Sequence, residues 1–168
     1  IFDEETIEYS YTLEDIGGNA VQSKPIFLMV DYTNPRINSL TYTIDGKYVT
    51  FSLDVTEQNI EKIVYVDSID LKEKTLCAGT QANVCEKKAS FKDGDHNITV
   101  IVRDKAGNFE TREIQFFTDS KKPKITKTSP LKGFASGNFD VEFQEENPTS
   151  LVLHYGMTGE DTQSIDLN

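Results

Sequence analysis

The chain of 168 residues has a formal net charge of −11 and a sequence pI near 4.6, with 37% hydrophobic and 10% aromatic residues. This composition is sufficient for a hydrophobic core, and its acidity disfavours binding to nucleic acid or to anionic membrane surfaces. The longest apolar run, Pro25–Val30, is strand-sized, so no direct membrane insertion is expected. No signal peptide is visible in this sequence, and we expect from the start at Ile1 without Met that it is a fragment or a mature piece of a longer protein.

Apolar and polar residues alternate along most of the chain, which is the pattern of half-buried antiparallel strands. In chain order the central part predicts seven strands: Ile37–Ile44, Tyr48–Val55, Glu61–Asp67, Ile69–Leu76, Ala89–Phe91, His96–Asp104 and Phe109–Thr118. Asp-Gly turns are predicted within Ile44–Lys47 and Lys92–Asp95, and a tight hairpin turn at Asp104–Asn108. Short strands with such regular turns predict an all-β, two-sheet antiparallel sandwich.

The chain also repeats itself. At a shift of about 88 residues, positions of the same type align over the first strands: Pro35 with Pro123, Ile37 with Ile125, Phe51 with Phe139, Glu57 with Glu145 and Asn59 with Asn147. At a shift of about 89 residues the last hairpin aligns, with Asp15 on Asp104, Gly18 on Gly107 and Asn19 on Asn108. We therefore expect three segments: residues 1–31 as the C-terminal strands of one repeat, 32–119 as a complete repeat, and 120–168 as the N-terminal part of another.

The stretch "DGDHNITVIVRDKAGN" (Asp93–Asn108) resembles the last hairpin of bacterial and archaeal immunoglobulin-like domains, and "TDSKKPKI" (Thr118–Ile125) resembles a junction between them. The resemblance covers the whole chain through its repeat. It implies tandem domains of secreted or cell-surface proteins, with neighbouring repeats as partners. The Cys…Trp…Cys pattern of antibody domains is missing, because the chain has no Trp.

Two cysteines, Cys77 and Cys85, stand close together in "CAGTQANVC". The spacing fits a disulfide that staples a hairpin, which would indicate an oxidising, extracellular setting. Two free thiols are the first alternative. A metal site is the second, with His96 as the one further ligand nearby.

Motifs for catalysis are missing from the sequence, and we expect a protein that is not an enzyme. The two histidines, His96 and His154, fall in different repeats, which argues against a shared active site. We expect His96 to face solvent beside its turn and His154 to lie on a strand, each with a structural role.

Loops at one end of an immunoglobulin-like sandwich would gather oxygen-bearing side chains where the chain arrives from the preceding domain. These are Asp31, Glu57, Asn59, Asp104 and Asn108, with a second such junction at Asp119, Glu145 and Asn147. Carboxylate and amide oxygens are the ligands that Ca²⁺ prefers, so Ca²⁺ is the one cofactor considered. The alternative is that the same groups bond loop N–H groups and hold the linker.

Asn97 begins an Asn-Ile-Thr sequon, which permits N-glycosylation of an exported protein. The two terminal half-repeats are expected either to be parts of a longer protein or to complement other copies head-to-tail. The sequence thus predicts a non-catalytic extracellular structural or adhesive module, such as a stalk, surface-layer or filament element. The alternative is a carbohydrate-binding or accessory region of a secreted hydrolase, with Tyr32 and Tyr48 as the exposed aromatic candidates.

Overall fold

A computed structural model describes residues 5–79, 84–133 and 137–167, and the chain divides into two compact units, Ile1–Asp119 and Ser120–Asn168. The predicted all-β class is confirmed. The strands are β1 (Glu5–Tyr9), β2 (Thr12–Glu14), β3 (Ala20–Gln22), β4 (Ile26–Val30), β5 (Arg36–Asp45), β6 (Tyr48–Thr56), β7 (Ile60–Asp67), β8 (Glu73–Ala78), β9 (Val84–Ser90), β10 (Gly94–Asp104), β11 (Phe109–Thr118), β12 (Lys124–Ser129), β13 (Asp140–Gln144), β14 (Val152–Tyr155) and β15 (Gln163–Asp166). Within these ranges, no helix has the length and apolarity to cross a bilayer.

Seven of these strands form the sandwich of the central part. One sheet has the order β5-β6-β9 and the other has the order β11-β10-β7-β8, with antiparallel neighbours throughout. The chain changes sheets between β6 and β7, between β8 and β9, and between β9 and β10. The predicted two-sheet antiparallel architecture is therefore present.

The core lies between the two sheets, because alternate residues of each strand point inward. Phe51 of β6 is fully buried, and its ring stacks on Tyr65 of β7 at 5.7 Å between centroids. Phe91 and Phe116 pack against Phe51 at 6.0 and 6.3 Å, so one aromatic cluster joins the sheets. Among the described residues, the other fully buried apolar side chains of this core are Ile37, Val49, Leu53, Val55, Ile60, Ile63, Cys85, Ile98, Val100 and Val102.

The fourth strand of the sandwich begins later than the alternation predicts. The sequence analysis placed it at Ile69–Leu76, whereas β8 starts at Glu73. Asp67 explains the shift, since its carboxylate accepts the Ile69 N–H at 3.1 Å and its carbonyl accepts the Leu71 N–H at 2.8 Å. Leu71 adopts a left-handed φ of 53°, which closes a turn where the apolar pattern alone indicates a strand. The fifth strand was predicted too short at Ala89–Phe91, because β9 begins at Val84 and is rich in charged residues that face outward.

The predicted disulfide between Cys77 and Cys85 is confirmed, but it does not staple a hairpin. Cys77 lies on β8 of the four-stranded sheet, whereas Cys85 lies on β9 of the three-stranded sheet. The bond therefore joins the two layers of the sandwich, and Cys85 is buried within the core.

His96 was expected to face solvent, and this expectation is wrong. The residue is only 4% exposed, with Phe91 and Phe116 against its ring. Its Nδ1 lies 2.7 Å from Asp67 Oδ2, and its Nε2 lies 2.8 Å from the carbonyl oxygen of Lys92. The imidazole and the carboxylate thus form a buried hydrogen-bonded pair near the start of β10. His154 lies on β14, as predicted, and is exposed.

Residues 5–30 form a separate double-stranded arm in which β1 pairs with β4 and β2 pairs with β3. In the second unit β12 pairs with β13 and β14 pairs with β15. The β12–β13 ladder has a bulge between Ile125 and Lys127, and the β5–β6 ladder has one at the corresponding place between Ile37 and Ser39. Both the arm and the second unit leave large apolar side chains exposed, among them Phe27, Met29, Ile125 and Phe139.

Loss of the disulfide should lower the free energy of unfolding. Replacing both Cys77 and Cys85 by Ala should cost about 2–3 kcal/mol, the chain-entropy value for a loop of this length, plus the lost packing at Cys85. Urea denaturation followed by near-ultraviolet circular dichroism measures it. Reduction of the unmodified chain should give a similar loss, and an unchanged midpoint under reduction would show that the bond does not constrain the sandwich.

The His96–Asp67 pair should be a point of high sensitivity. His96→Ala should cost about 3–5 kcal/mol, because it leaves the buried Asp67 carboxylate without its imidazole partner. The exposed His154→Ala is the matched control and should change stability by less than about 0.5 kcal/mol. A cost below about 1 kcal/mol for His96→Ala would contradict the importance given to this pair.

Candidate functional site

Three carboxylates from separate parts of the chain meet beside the C-terminal end of β10, whereas His96 lies near the start of that strand. Asp31 follows β4, Glu57 follows β6, and Asp104 ends β10. Because β10 pairs antiparallel with β7, Asp104 lies opposite Ile60, and Glu57 precedes that strand in the connecting loop. One carboxylate oxygen of each residue lies within 4.8 Å of those of the other two. The fold thus places three formal negative charges side by side.

Asp104 is held rigidly by its own turn. Its Oδ1 accepts the backbone N–H groups of Ala106, Gly107 and Asn108 at 2.9, 2.7 and 2.9 Å. Its Oδ2 accepts the side-chain amide of Asn108 at 2.8 Å. Gly107 supplies the left-handed φ of 96° that this turn needs. Asp104 is 1% exposed, so this carboxylate is fixed and almost completely dehydrated.

The Asp31 carbonyl is hydrogen-bonded to the sandwich, but only one of its two carboxylate oxygens accepts a hydrogen bond from the described residues. Its carbonyl oxygen accepts the Asn108 side-chain amide at 3.1 Å, and its Oδ1 accepts the Thr33 N–H at 3.0 Å. Its Oδ2 is buried and has no hydrogen-bond partner among the described residues, and Asp31 as a whole is 8% exposed. A buried carboxylate oxygen without a partner is costly unless something else in the protein's environment compensates it.

Glu57 is the most accessible member, since the residue is only partly buried. Its Oε1 accepts the backbone N–H of Asn59 at 2.6 Å, and the Asn59 carbonyl accepts the Lys105 N–H at 2.9 Å. The Asn59 side-chain amide points to Met29 Sδ at 3.6 Å. Beside these residues lies a cleft of about 300 Å³, lined by Met29, Asp31, Asn59, Lys105 and Ala106.

The five residues predicted for the first junction therefore lie together, but they have two different roles. Asp31, Glu57 and Asp104 bring carboxylate oxygens together, whereas Asn59 and Asn108 act as hydrogen-bond donors in the contacts above. At the second junction Glu145 Oε1 accepts the Asn147 N–H at 2.8 Å, as Glu57 accepts that of Asn59. Asp119 belongs to the first compact unit, whereas Glu145 and Asn147 belong to the second, so a site formed by these three residues stays a prediction. Sequence reasoning missed Met29, because nothing in an apolar strand marks the residue that borders a cleft.

The turn at Asp104 has a counterpart in the arm. Asp15 Oδ1 accepts the N–H groups of Gly17 and Asn19, both at 2.9 Å, and Asp15 Oδ2 accepts the Asn19 amide at 2.8 Å. The Asn19 side chain, followed by its backbone N–H, holds the pKa of Asp15 below its ordinary value. The difference is in the surroundings, because Asp15 is exposed and Asp104 is buried beside two other carboxylates.

The remaining predicted residues lie apart from this cluster. Asn97 is exposed on β10, where a glycan would find room. Tyr32 is 67% exposed and Tyr48 is 41% exposed, as expected of surface aromatics. However, the Lys88 ammonium lies 4.5 Å from the centroid of the Tyr48 ring, so this face is already engaged by a cation.

No family model matches the chain, and no curated protein matches it either. The resemblance seen in the last hairpin and the junction therefore stands on those residues alone. The function has to be argued from the site and the fold.

Asn108 should matter more than its counterpart Asn19. Asn108→Ala removes bonds to the Asp31 carbonyl and the Asp104 carboxylate, and it should cost about 1–2 kcal/mol of unfolding free energy. Asn19→Ala removes one hydrogen bond in an exposed turn and should lower the unfolding free energy by only about a few tenths of a kcal/mol. Equal costs for the two variants in chemical denaturation would mean that the bond to Asp31 contributes nothing.

Proposed function

We propose that this chain is a non-catalytic structural segment of an exported protein, built from immunoglobulin-like sandwiches in tandem and serving as a stalk, surface-layer or filament element. The observation that carries the proposal is the recurrence of local geometry at the sequence repeat. The Asp15 and Asp104 turns share three side-chain hydrogen bonds, from the N–H groups two and four residues on and from the side-chain amide of the Asn. The β5–β6 and β12–β13 ladders have bulges at the same relative position. Such agreement is expected of copies of one unit.

An exported location is supported by the disulfide, because such bonds persist in oxidising compartments. The acidic surface suits a protein that stays apart from nucleic acids and anionic membranes. The alternative of a carbohydrate-binding region is less well supported, since one of its two aromatic candidates, Tyr48, is engaged by Lys88. A glycan array that responded reproducibly to the chain, and stopped responding with Tyr48→Ala, would favour that alternative.

The repeat can be tested by adding to the second unit the strands that follow β6 in the first unit. Gln144 occupies the position in its ladder that Thr56 occupies in the β5–β6 ladder, since each pairs with the first residue of the partner strand. A chain of residues 1–144 followed by residues 57–119 should therefore build a second sandwich. Amide hydrogen exchange in β12 and β13 should slow by at least about 100-fold relative to the original chain. Unchanged exchange would show that the two segments are not copies of one unit.

Location is tested separately, on cells that make the protein. Brief treatment of intact cells with a protease that cannot enter them should remove the chain, while a cytoplasmic marker stays intact. Survival of the chain, with its thiols open to alkylation only after lysis, would contradict an exported structural role.

A further inference from the structure

We propose that Asp31, Glu57 and Asp104 bind a calcium ion, which ties the arm of residues 5–30 to the adjacent end of the sandwich. The inference concerns only the first compact unit and does not depend on a tandem arrangement. It rests on the mutual distances of three carboxylates, on the burial of Asp31 and Asp104, and on one Asp31 oxygen without a hydrogen-bond partner among the described residues.

The first argument is electrostatic. Three carboxylates whose oxygens lie within 4.8 Å of one another repel strongly where water is largely excluded. None of the ion pairs found among residues 5–79, 84–133 and 137–167 involves Asp31, Glu57 or Asp104. Lys105 lines the adjacent cleft, but its side chain is exposed. The cluster therefore requires a positive charge that the surrounding side chains do not supply.

The second argument is hydrogen bonding. The turn N–H groups satisfy Asp104 Oδ1, and loop N–H groups satisfy Asp31 Oδ1 and Glu57 Oε1. These bonds fix each carboxylate in place without occupying the oxygen of Asp31 that is left over. Asp31 is more than nine-tenths buried, and within the part of the chain that the structure describes its Oδ2 has no hydrogen-bond partner. A cation in the cluster would compensate this oxygen directly.

The third argument is the geometry and chemistry of the ligands. Oxygens that share one Ca²⁺ at about 2.4 Å can lie at most about 4.8 Å apart, which is the limit that the three carboxylates meet. All three ligands are hard oxygen donors, and the cluster contains neither a thiolate nor an imidazole, which disfavours Zn²⁺. The cleft beside Met29 and Asn59 gives room for the waters that complete a calcium shell of six to eight oxygens.

The consequence is a cation-dependent connection. Asp31 is the first residue after the arm, whereas Glu57 and Asp104 belong to the loops of the sandwich. With the ion bound, the arm is held by a metal in addition to the bond between the Asp31 carbonyl and Asn108. Without it, three like charges press the arm away from the sandwich.

The test is calorimetric titration of the full chain with CaCl₂ after dialysis against EDTA, together with thermal melts. We expect one site with a Kd on the order of 10⁻⁴ M, weaker binding of Mg²⁺, and a melting temperature that rises with Ca²⁺. Asp31→Asn and Glu57→Gln should each weaken binding by at least about 10-fold. Both replacements keep the side-chain shape, and circular dichroism confirms that each variant is folded.

Asp15→Asn is the matched control, because Asp15 makes the same turn as Asp104 but stands outside the cluster, and it should leave the Kd unchanged. Three results would overturn the proposal. The first is neither heat nor a thermal shift at about 10 mM Ca²⁺. The second is equal binding by wild type and Asp31→Asn, which would place the ion elsewhere. The third is Asp31→Asn melting higher than wild type at every Ca²⁺ concentration, which would mean that the carboxylates share protons instead.

Discussion

The contact between the three-stranded and four-stranded sheets is the interaction on which the rest of the structure depends. Phe51 lies at its centre, with Tyr65 of β7, Phe116 of β11 and Phe91, which follows β9, packed around it. Tyr65 and Phe116 point into this core because side chains on a strand alternate between the two faces of its sheet. A slip of one residue in any of these strands would turn its apolar side to water, so the core also fixes the register of every loop at the two ends.

The loops fixed in this way treat buried charge in two different manners. Where Asp67 meets His96, a carboxylate and an imidazole compensate each other, and the Lys92 carbonyl completes the network. Where Asp31 meets Asp104, carboxylates face each other, and their donors are neutral N–H groups. The first arrangement is self-contained. The second has no cationic side chain among the described ion pairs, and it lies where the chain arrives from the preceding arm.

Local pattern was enough to predict most of the strands, because alternation is a property of adjacent residues. The bounds of β10 and β11 differ from the predicted ones by no more than two residues. The start of β8 could not be predicted in this way, since it depends on hydrogen bonds from Asp67 to the turn that follows it. The burial of His96 depends on that same Asp67, which lies far away in sequence, so composition around the histidine indicated solvent.

The candidate site, too, could be predicted from the sequence only in part. That Asp31, Glu57 and Asp104 belong to one end of the sandwich could be inferred from topology and the repeat. That one oxygen of Asp31 would be left without a partner could not, because it depends on which N–H groups the loops present. The disulfide was likewise predictable as a pair, but its place between two sheets follows from β8 and β9 belonging to different layers.

That placement of the disulfide has a mechanical consequence. When a sandwich is pulled apart by its ends, the chain between Cys77 and Cys85 cannot lengthen, because the bond holds their Cα atoms 6.0 Å apart. At about 3.5 Å of contour per residue, the eight-residue separation removes on the order of 20 Å from the extension of the unfolded domain. The bond also leaves β8 and β9 joined after the sheets have separated. Under tension the domain would therefore lengthen less when it unfolds. The disulfide would keep β8 and β9 close together, which favours refolding of the two sheets against each other.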